Sequence, residues 1–284
     1  MMSETTHKKS IKRPSVGVIL RHIVLIIWCA TTVLPLVWIV MSAFKDNNQI
    51  LTKPFAVPNP FIRTNFPDVF SRLSVGVGFL NSMLYAAGTV FIVVILSAMV
   101  GFYLAKCTRG KVLYTYFIIG MMVPVQALIV PLFISIRQMS LSNTRTGIIL
   151  VYAVTELAFA ILIMTGFIKN GVPDEMIEAA VIDGSSPLGL FFRIVMPLAR
   201  TGIVTVGTFV FLHVWNEFFC ALIFLPSSEL ATLNLTTFKL RGQYSSDYGL
   251  IAAGIVILVL PALAIYALFQ EQVVQGLTAG AIKG

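Results

Sequence analysis

FLNSMLYAAGTVFIVVILSAMVGFYLA, residues 79–105, holds no Asp, Glu, Lys or Arg. A hydrocarbon core about 30 Å thick is crossed by about 20 such residues in a helix, because a helix pairs every backbone N–H and C=O without help from water. The stretch therefore reads as a membrane-crossing helix. Residues 23–43, 112–136 and 250–269 have the same character, 147–168 and 203–225 differ only by one carboxylate each, Glu156 and Glu217, and together they bring the number of spans to six. The expected fold class is all-α, a polytopic membrane protein with a transmembrane body at 23–270 and tails at 1–22 and 271–284. Pro35, Pro124, Pro131 and Pro261 fall inside these runs and are expected to kink their helices.

Composition agrees. The 284 residues are 57% hydrophobic and 11% charged, with a mean hydropathy of +0.91, far more apolar than a soluble domain of that size. The net charge of +8 does not point to nucleic acid, since the basic residues are not gathered on one face or arm but sit in loops and tails beside the apolar runs. That is the pattern by which a membrane protein sets its orientation. With the N-terminus inside, twelve of the 20 Lys and Arg fall on the inner side, and the local contrast comes from the basic stretch Lys8 to Arg13 and the short 106–111 loop. Both termini are then expected in the cytoplasm of a plasma-membrane protein. Cys29, Cys107 and Cys220 are odd in number and widely separated, so neither a disulfide framework nor a zinc site is expected.

Between the spans, the outer segment 44–78 carries Pro54, Pro58, Pro60 and Pro67 and reads as an extended surface excursion. The informative loop is the inner one at 169–200. Pro173 followed by Asp174 and Glu175 starts a helix, proline in the first turn and carboxylates at the positive end of the dipole. Asp183-Gly184 turns it, Ser186-Pro187 opens a second helix, and Pro197 is expected to close that one. The pair has an apolar face of Met176, Ile177, Ala180 and Val181 beside Asp174, Glu175, Glu178 and Asp183. An amphipathic pair resting on the membrane is one reading; its acidic charge would be repelled by an anionic leaflet, which favours a protein partner.

Glu178-Ala179-Ala180, three residues, Gly184, nine residues, Ile194, one residue and Met196-Pro197 resembles the EAA motif of permease subunits in ATP-binding-cassette importers. Met196 stands where that family usually has leucine. The resemblance extends over nearly the whole chain and is closest to the carbohydrate-uptake branch, in particular to the second permease subunit of maltose-type systems. It is carried further by Asn81-Ser82, Pro124 and Pro131, Ile182-Asp183-Gly184, Trp215-Asn216-Glu217-Phe218 and the ending 276–284.

The resemblance implies a non-enzymatic transport subunit that moves a sugar or oligosaccharide delivered by an extracytoplasmic binding protein. It implies a heterodimer with a second permease subunit and two ATPase subunits, which would bind the ATP and magnesium, leaving this chain with no cofactor or metal of its own. Glu178, Ala179, Ala180, Asp183, Gly184, Ile194 and Pro197 would dock into an ATPase subunit. The 276–284 stretch is small and flexible, an unstructured tail on its own reading; the resemblance implies that Gly280, Lys283 and Gly284 reach between the ATPase subunits. The outer loop 226–248 would touch the binding protein through Thr236, Thr237, Arg241 and Gln243. A polyol or a glycerol phosphate ester is the alternative cargo, as close relatives carry them.

Polar groups inside a membrane are costly and need partners. Asn81, Gln126, Trp215, Asn216 and Glu217 are candidates for a translocation path, where Trp would stack on a sugar ring and Asn or Glu would bond its hydroxyls; His213 and Glu156 are notable too. The alternative role is interhelical hydrogen bonding that fixes the bundle. Two rivals come from other classes. An intramembrane hydrolase lacks any H-E-x-x-H or G-x-S-x-G, and a P-loop is missing as well, the only Gly-Lys pair, Gly110-Lys111, being followed by Val112. A proton-coupled transporter would use Glu156 and Glu217 as a relay.

Overall fold

The apolar runs are helices, but two of them are broken. A computed structural model of the chain describes residues 16–72, 74–107, 110–240 and 247–281. Helix α1 (Val16–Ser42) leads to two short helices, α2 (Asn47–Thr52) and α3 (Asn65–Arg72), and then to α4 (Val75–Lys106). Next come α5 (Gly110–Met121), α6 (Val125–Gln138) and α7 (Arg145–Gly171). The 169–200 loop holds α8 (Asp174–Ile182), α9 (Pro187–Leu190), a π-turn over Phe191–Val195 and α10 (Met196–Leu198). The chain ends with α11 (Arg200–Asn216), α12 (Phe219–Phe224), α13 (Leu233–Phe238) and α14 (Tyr248–Ala281). No strand occurs among the described residues. Helices α1, α4, α7 and α14 are each long and apolar enough to cross a membrane, and the bent pairs α5/α6 and α9–α10/α11 bring the number to six.

The core is the contact of α4 with α7, flanked by α11. Tyr85, Val93 and Ala98 of α4 meet Ile148, Tyr152, Met164 and Ile168 of α7, all at 1% exposure or less. Gly101 lets the two backbones close up: a Cβ there would lie 3.1 Å from the Thr165 nitrogen and 3.3 Å from the Met164 carbonyl carbon. With no hydrophobic drive between helices in lipid, close backbone approach at small residues supplies the packing energy. Helix α1 touches mainly α14 and is otherwise exposed around its apolar circumference.

Several local expectations are corrected. The third span is not one kinked helix: α5 and α6 meet at 99° across Met122 to Pro124. The fifth stops at Asn216 and restarts at Phe219. The second loop helix does end beside Pro197, at Leu198, but it is not regular throughout: Pro197 has no N–H to bond back to Arg193, and the backbone ahead of it widens into the π-turn. Helix α14 runs through Pro261, and its departure from helical backbone falls at Phe269 instead (φ −120°, ψ 16°). It continues to Ala281, so Gly280 is helical rather than in a flexible tail, while Lys283 and Gly284 lie outside the described residues. The 44–78 segment is less extended than its prolines suggest. Lys45, 1% exposed, is held by the carbonyls of Lys53 (3.2 Å) and Pro54 (2.8 Å), and Asn65 donates to the carbonyls of Ala43 and Lys45.

Gly101→Val should force α4 and α7 apart and destabilise the bundle by about 1–3 kcal/mol. Thermal unfolding of the purified protein in detergent measures this; an unchanged midpoint would show that the two backbones have room to spare.

Candidate functional site

Two polar structures stand out against the apolar bundle, one at each end of α4. At its C-terminal end, Lys106 donates to the Val172 carbonyl (2.6 Å) and pairs with Asp174 (2.5 Å). The ammonium thus ties the last turn of α4 to the C-terminal residue capping α7 and to the first residue of α8. A cation beside the last carbonyl of one helix and an anion in the first turn of the next are the favourable placements for both dipoles. Helix α8 is therefore fixed to the α4–α7 core at its root.

From that root α8 and α9 project. Ala180 is 5% exposed and Ile177 packs against the core, whereas Met176, Val181 and Ile182 are 45%, 59% and 85% exposed. The expected apolar face is thus divided, one side on the bundle and the other uncovered. Gly184 has φ +77°, a left-handed turn open to glycine without strain, and the Ser186 hydroxyl accepts from the Gly189 N–H (3.1 Å) to start α9. Glu178, Ala179, Asp183 and Pro197 are exposed, Ile194 is half-buried, and Leu188 and Phe192 extend the uncovered apolar surface at 66% and 54% exposure.

The second structure is the helix break in the fifth span. Glu217 leaves helical geometry (ψ 130°), and its carboxylate turns back over the start of α12. One oxygen accepts from the Cys220 N–H (2.6 Å), the other from the Ala221 N–H (3.0 Å) and the Tyr152 hydroxyl (2.9 Å). Both oxygens are therefore satisfied within the fold, and the break is locked to α7. Trp215 is 1% exposed, edge-on to Phe79, stacked on Phe211, and donates to the Leu258 carbonyl of α14 (3.1 Å). Asn81 is buried and donates to the carbonyls of Glu229 (2.8 Å) and Ala231 (3.1 Å).

Of the path candidates, then, Asn81, Trp215 and Glu217 are engaged in holding helices together, while Gln126 on α6 and Asn216 are exposed. Asn216 meets Asn234, whose side-chain amide donates to its carbonyl (3.0 Å). In the 226–248 loop, α13 is turned inward by the Thr232 cap on the Leu235 N–H and by the Ser82 hydroxyl accepting from the Leu233 N–H. Thr236 and Thr237 are consequently 6% and 7% exposed; Arg241 and Gln243 lie outside the described residues. Sequence reasoning missed Lys106 as a strut and Tyr152 as a partner of Glu217; the signal for the first was a lysine in the last turn of one span facing an Asp that opens the next inner helix.

Comparison with known proteins supplies the family. Residues 93–278 match the family described as binding-protein-dependent transport system inner membrane component. The chain belongs to that family. It is a permease subunit of an ATP-binding-cassette importer rather than an enzyme, as are its relatives. It is 31% identical to the diacetylchitobiose uptake system permease protein of Streptomyces coelicolor, over 92% of this chain and 88% of that one. It is 30% identical to the sulfoquinovosyl glycerol transport system permease protein of Agrobacterium fabrum, over 93% and 94%. Among solved structures, a bacterial importer of the acidic polysaccharide alginate has the same fold, with a TM-score of 0.80 over 94% of this chain and 99% of that one at 19% identity. Membership in a binding-protein-dependent family sets aside the secondary transporter with Glu156 and Glu217 as a proton relay.

For this permease, Glu217→Ala should leave two N–H groups and the Tyr152 hydroxyl without their acceptor and destabilise the fold by about 2 kcal/mol, with Glu217→Gln intermediate. Thermal unfolding checks the order. Lys106→Met should leave the protein inserted yet lower uptake several-fold at an undiminished ATP hydrolysis rate, read in proteoliposomes holding the whole transporter.

Proposed function

We propose that this permease carries a sugar or oligosaccharide across the cytoplasmic membrane as half of a heterodimer, with a second permease subunit, two ATPase subunits and an extracytoplasmic sugar-binding protein. ATP and magnesium are bound by the ATPase subunits. The relatives named above support the cargo, since the cargoes printed in their names are saccharides or glycosides. The A. fabrum relative keeps a glycoside of glycerol as the second reading, at nearly the same identity as the chitobiose relative.

The observation behind the coupling role is the uncovered face of α8 and α9. Met176, Val181, Ile182, Leu188 and Phe192 expose apolar surface beside Glu175, Glu178 and Asp183. Such a surface on an importer subunit without an ATPase of its own fits the groove of an ATPase subunit better than an anionic leaflet. The loop 169–200 and both tails then face the cytoplasm, with Gly280, Lys283 and Gly284 at the ATPase end, where α14 brings its last turns. The segments 44–78 and 226–248 face outward. In the latter, the contact with the binding protein falls to Arg241 and Gln243 and to the exposed Glu229 and Lys239, with Thr236 and Thr237 beneath supporting α13.

Gly184→Leu puts a branched side chain into a left-handed turn at a cost of about 1–2 kcal/mol. Glu178→Lys reverses a charge on the docking face. Both variants should insert and fold, yet ATP hydrolysis by the assembled transporter should no longer drive uptake. Wild-type uptake in both would exclude α8 and α9 as the docking element.

A further inference from the structure

Glu156 of α7 and His213 of α11 sit where a membrane protein least tolerates them. Glu156 lies eleven residues past Arg145, about 16 Å along the span at 1.5 Å per residue. His213 lies thirteen past Arg200, about 20 Å from the other end. The two therefore meet near mid-depth of a core about 30 Å thick. The His213 Nδ1 is 3.2 Å from a Glu156 oxygen, and the side chains are 62% and 17% exposed. The histidine ring lies nearly parallel to the Phe159 ring (12°, centroids 6.3 Å apart), and Phe159 is braced edge-on by Phe209. One helical turn from His213, the Asn216 side chain is exposed on the same helix.

A carboxylate–imidazole pair with that exposure cannot face lipid acyl chains; intramembrane ionisable groups face bundle interiors or water-filled cavities. The pair is also oriented. The contact runs through Nδ1 of His213 and one Glu156 oxygen, which holds the ring at a fixed angle to the carboxyl group. The other ring nitrogen, Nε2, and the second Glu156 oxygen have no partner among the described residues. A free ring nitrogen, a free carboxyl oxygen and a flat aromatic step match the hydroxyl and C–H faces of a sugar ring, and one turn away the Asn216 amide, which donates one N–H to the Leu212 carbonyl (2.7 Å), keeps its oxygen for a further hydroxyl. They suit an anion less well. Residues 75–105, 146–168, 201–216 and 248–270 contain no Lys or Arg, so a sulfonate, phosphate or carboxylate at this depth would meet the Glu156 carboxyl group without a lysine or arginine from these stretches.

We propose that Glu156, Phe159, His213 and Asn216 form a sugar-ring subsite on the water-filled face of this permease, and that it takes an uncharged saccharide. The cargo half of this inference rests on the sugar reading above; the pathway half does not. Trp215 and Glu217, on either side of Asn216 in the sequence, position the subsite by locking α11 to α14 and α7 and make no contact with cargo.

The test uses the whole transporter in proteoliposomes. His213→Cys, in a background with Cys29→Ser and Cys107→Ser, should react with the water-soluble thiol reagent MTSET in either the ATP-free or the vanadate-trapped complex. Failure to react in both states would place this face against the partner permease and overturn the pathway assignment. Uptake is then measured with three neutral probes (diacetylchitobiose, raffinose and maltotriose) and one anionic probe, sulfoquinovosyl glycerol. For the neutral sugar that the wild type transports, His213→Ala, Glu156→Gln and Phe159→Ala should each raise KM about tenfold or more, with maximal rate changed less than threefold. Co-purification of the ATPase subunits shows that each variant assembles, and His213→Asn serves if His213→Ala does not. An unchanged KM in all three variants overturns the subsite while leaving the sugar reading intact. Wild-type uptake of the anionic probe alone overturns the uncharged-cargo inference, and MTSET labelling still decides the pathway.

Discussion

A helix that stops inside hydrocarbon leaves N–H groups that no water will take, each costing several kcal/mol if unpaired. In the fifth span the stop is held by one carboxylate. Glu217 closes over the start of α12, satisfying the Cys220 and Ala221 N–H groups, and takes the Tyr152 hydroxyl as a third donor. The charge that looks dangerous in a membrane is here the acceptor that permits a break at all. Because Tyr152 is fully buried in α7, the break is also fixed in place. The exposed stretch around Asn216 is thereby set beside α13, through the Asn234 amide, while Trp215 holds the other side of the helix to α14.

The opposite end of α4 solves a mechanical problem by similar means. Motion imposed on α8 by a partner reaches the spans only if α8 does not swing on its own hinge. Lys106 bonds simultaneously to the Val172 carbonyl and to Asp174, so the root of α8 is joined to the two helices whose mutual contact is the core. The ion pair is half in water, with side-chain exposures of 16% and 74%, and its worth lies in geometry more than in stability. Beyond this root, the φ +77° turn at Gly184 folds α9 back, and α9, the π-turn and α10 lead into α11 at a 78° bend. The lever thus begins on α7 and ends on α11, the two helices that carry Glu156 and His213.

How much of this the sequence reveals depends on range. The six apolar runs, the start of α8 at Pro173, its glycine turn and the Ser186 cap are local patterns, and each appears where the residues put it. Both helix breaks escape a hydropathy reading because an average over twenty residues does not register two or three that leave the helix. Proline was only a partial guide: the chain breaks at Pro124 as expected, but it passes through Pro131 and Pro261 as helix and breaks at Glu217, where no proline stands. The roles of Glu217 and Lys106 depend on partners more than sixty residues away, Tyr152 and Asp174, and no spacing rule connects them. Thr236 and Thr237 look like loop residues for the same reason, since only the Ser82 and Thr232 hydroxyls, acting on the Leu233 and Leu235 N–H groups, turn their helix inward.

The distribution of exposure suits the two-permease assembly proposed above. Helix α1 is apolar on all sides, which lipid tolerates. The α7–α11 face is different in kind, presenting Glu156, His213 and Asn216 at mid-depth, and hydrocarbon against it would cost more than any single packing contact in the bundle returns. A second subunit that closes around this face removes the conflict without burying the polar groups, provided water or a hydroxylated cargo fills the space between. In the proposed pair, the same requirement that makes the isolated chain an incomplete solution in lipid would leave a passage at the centre.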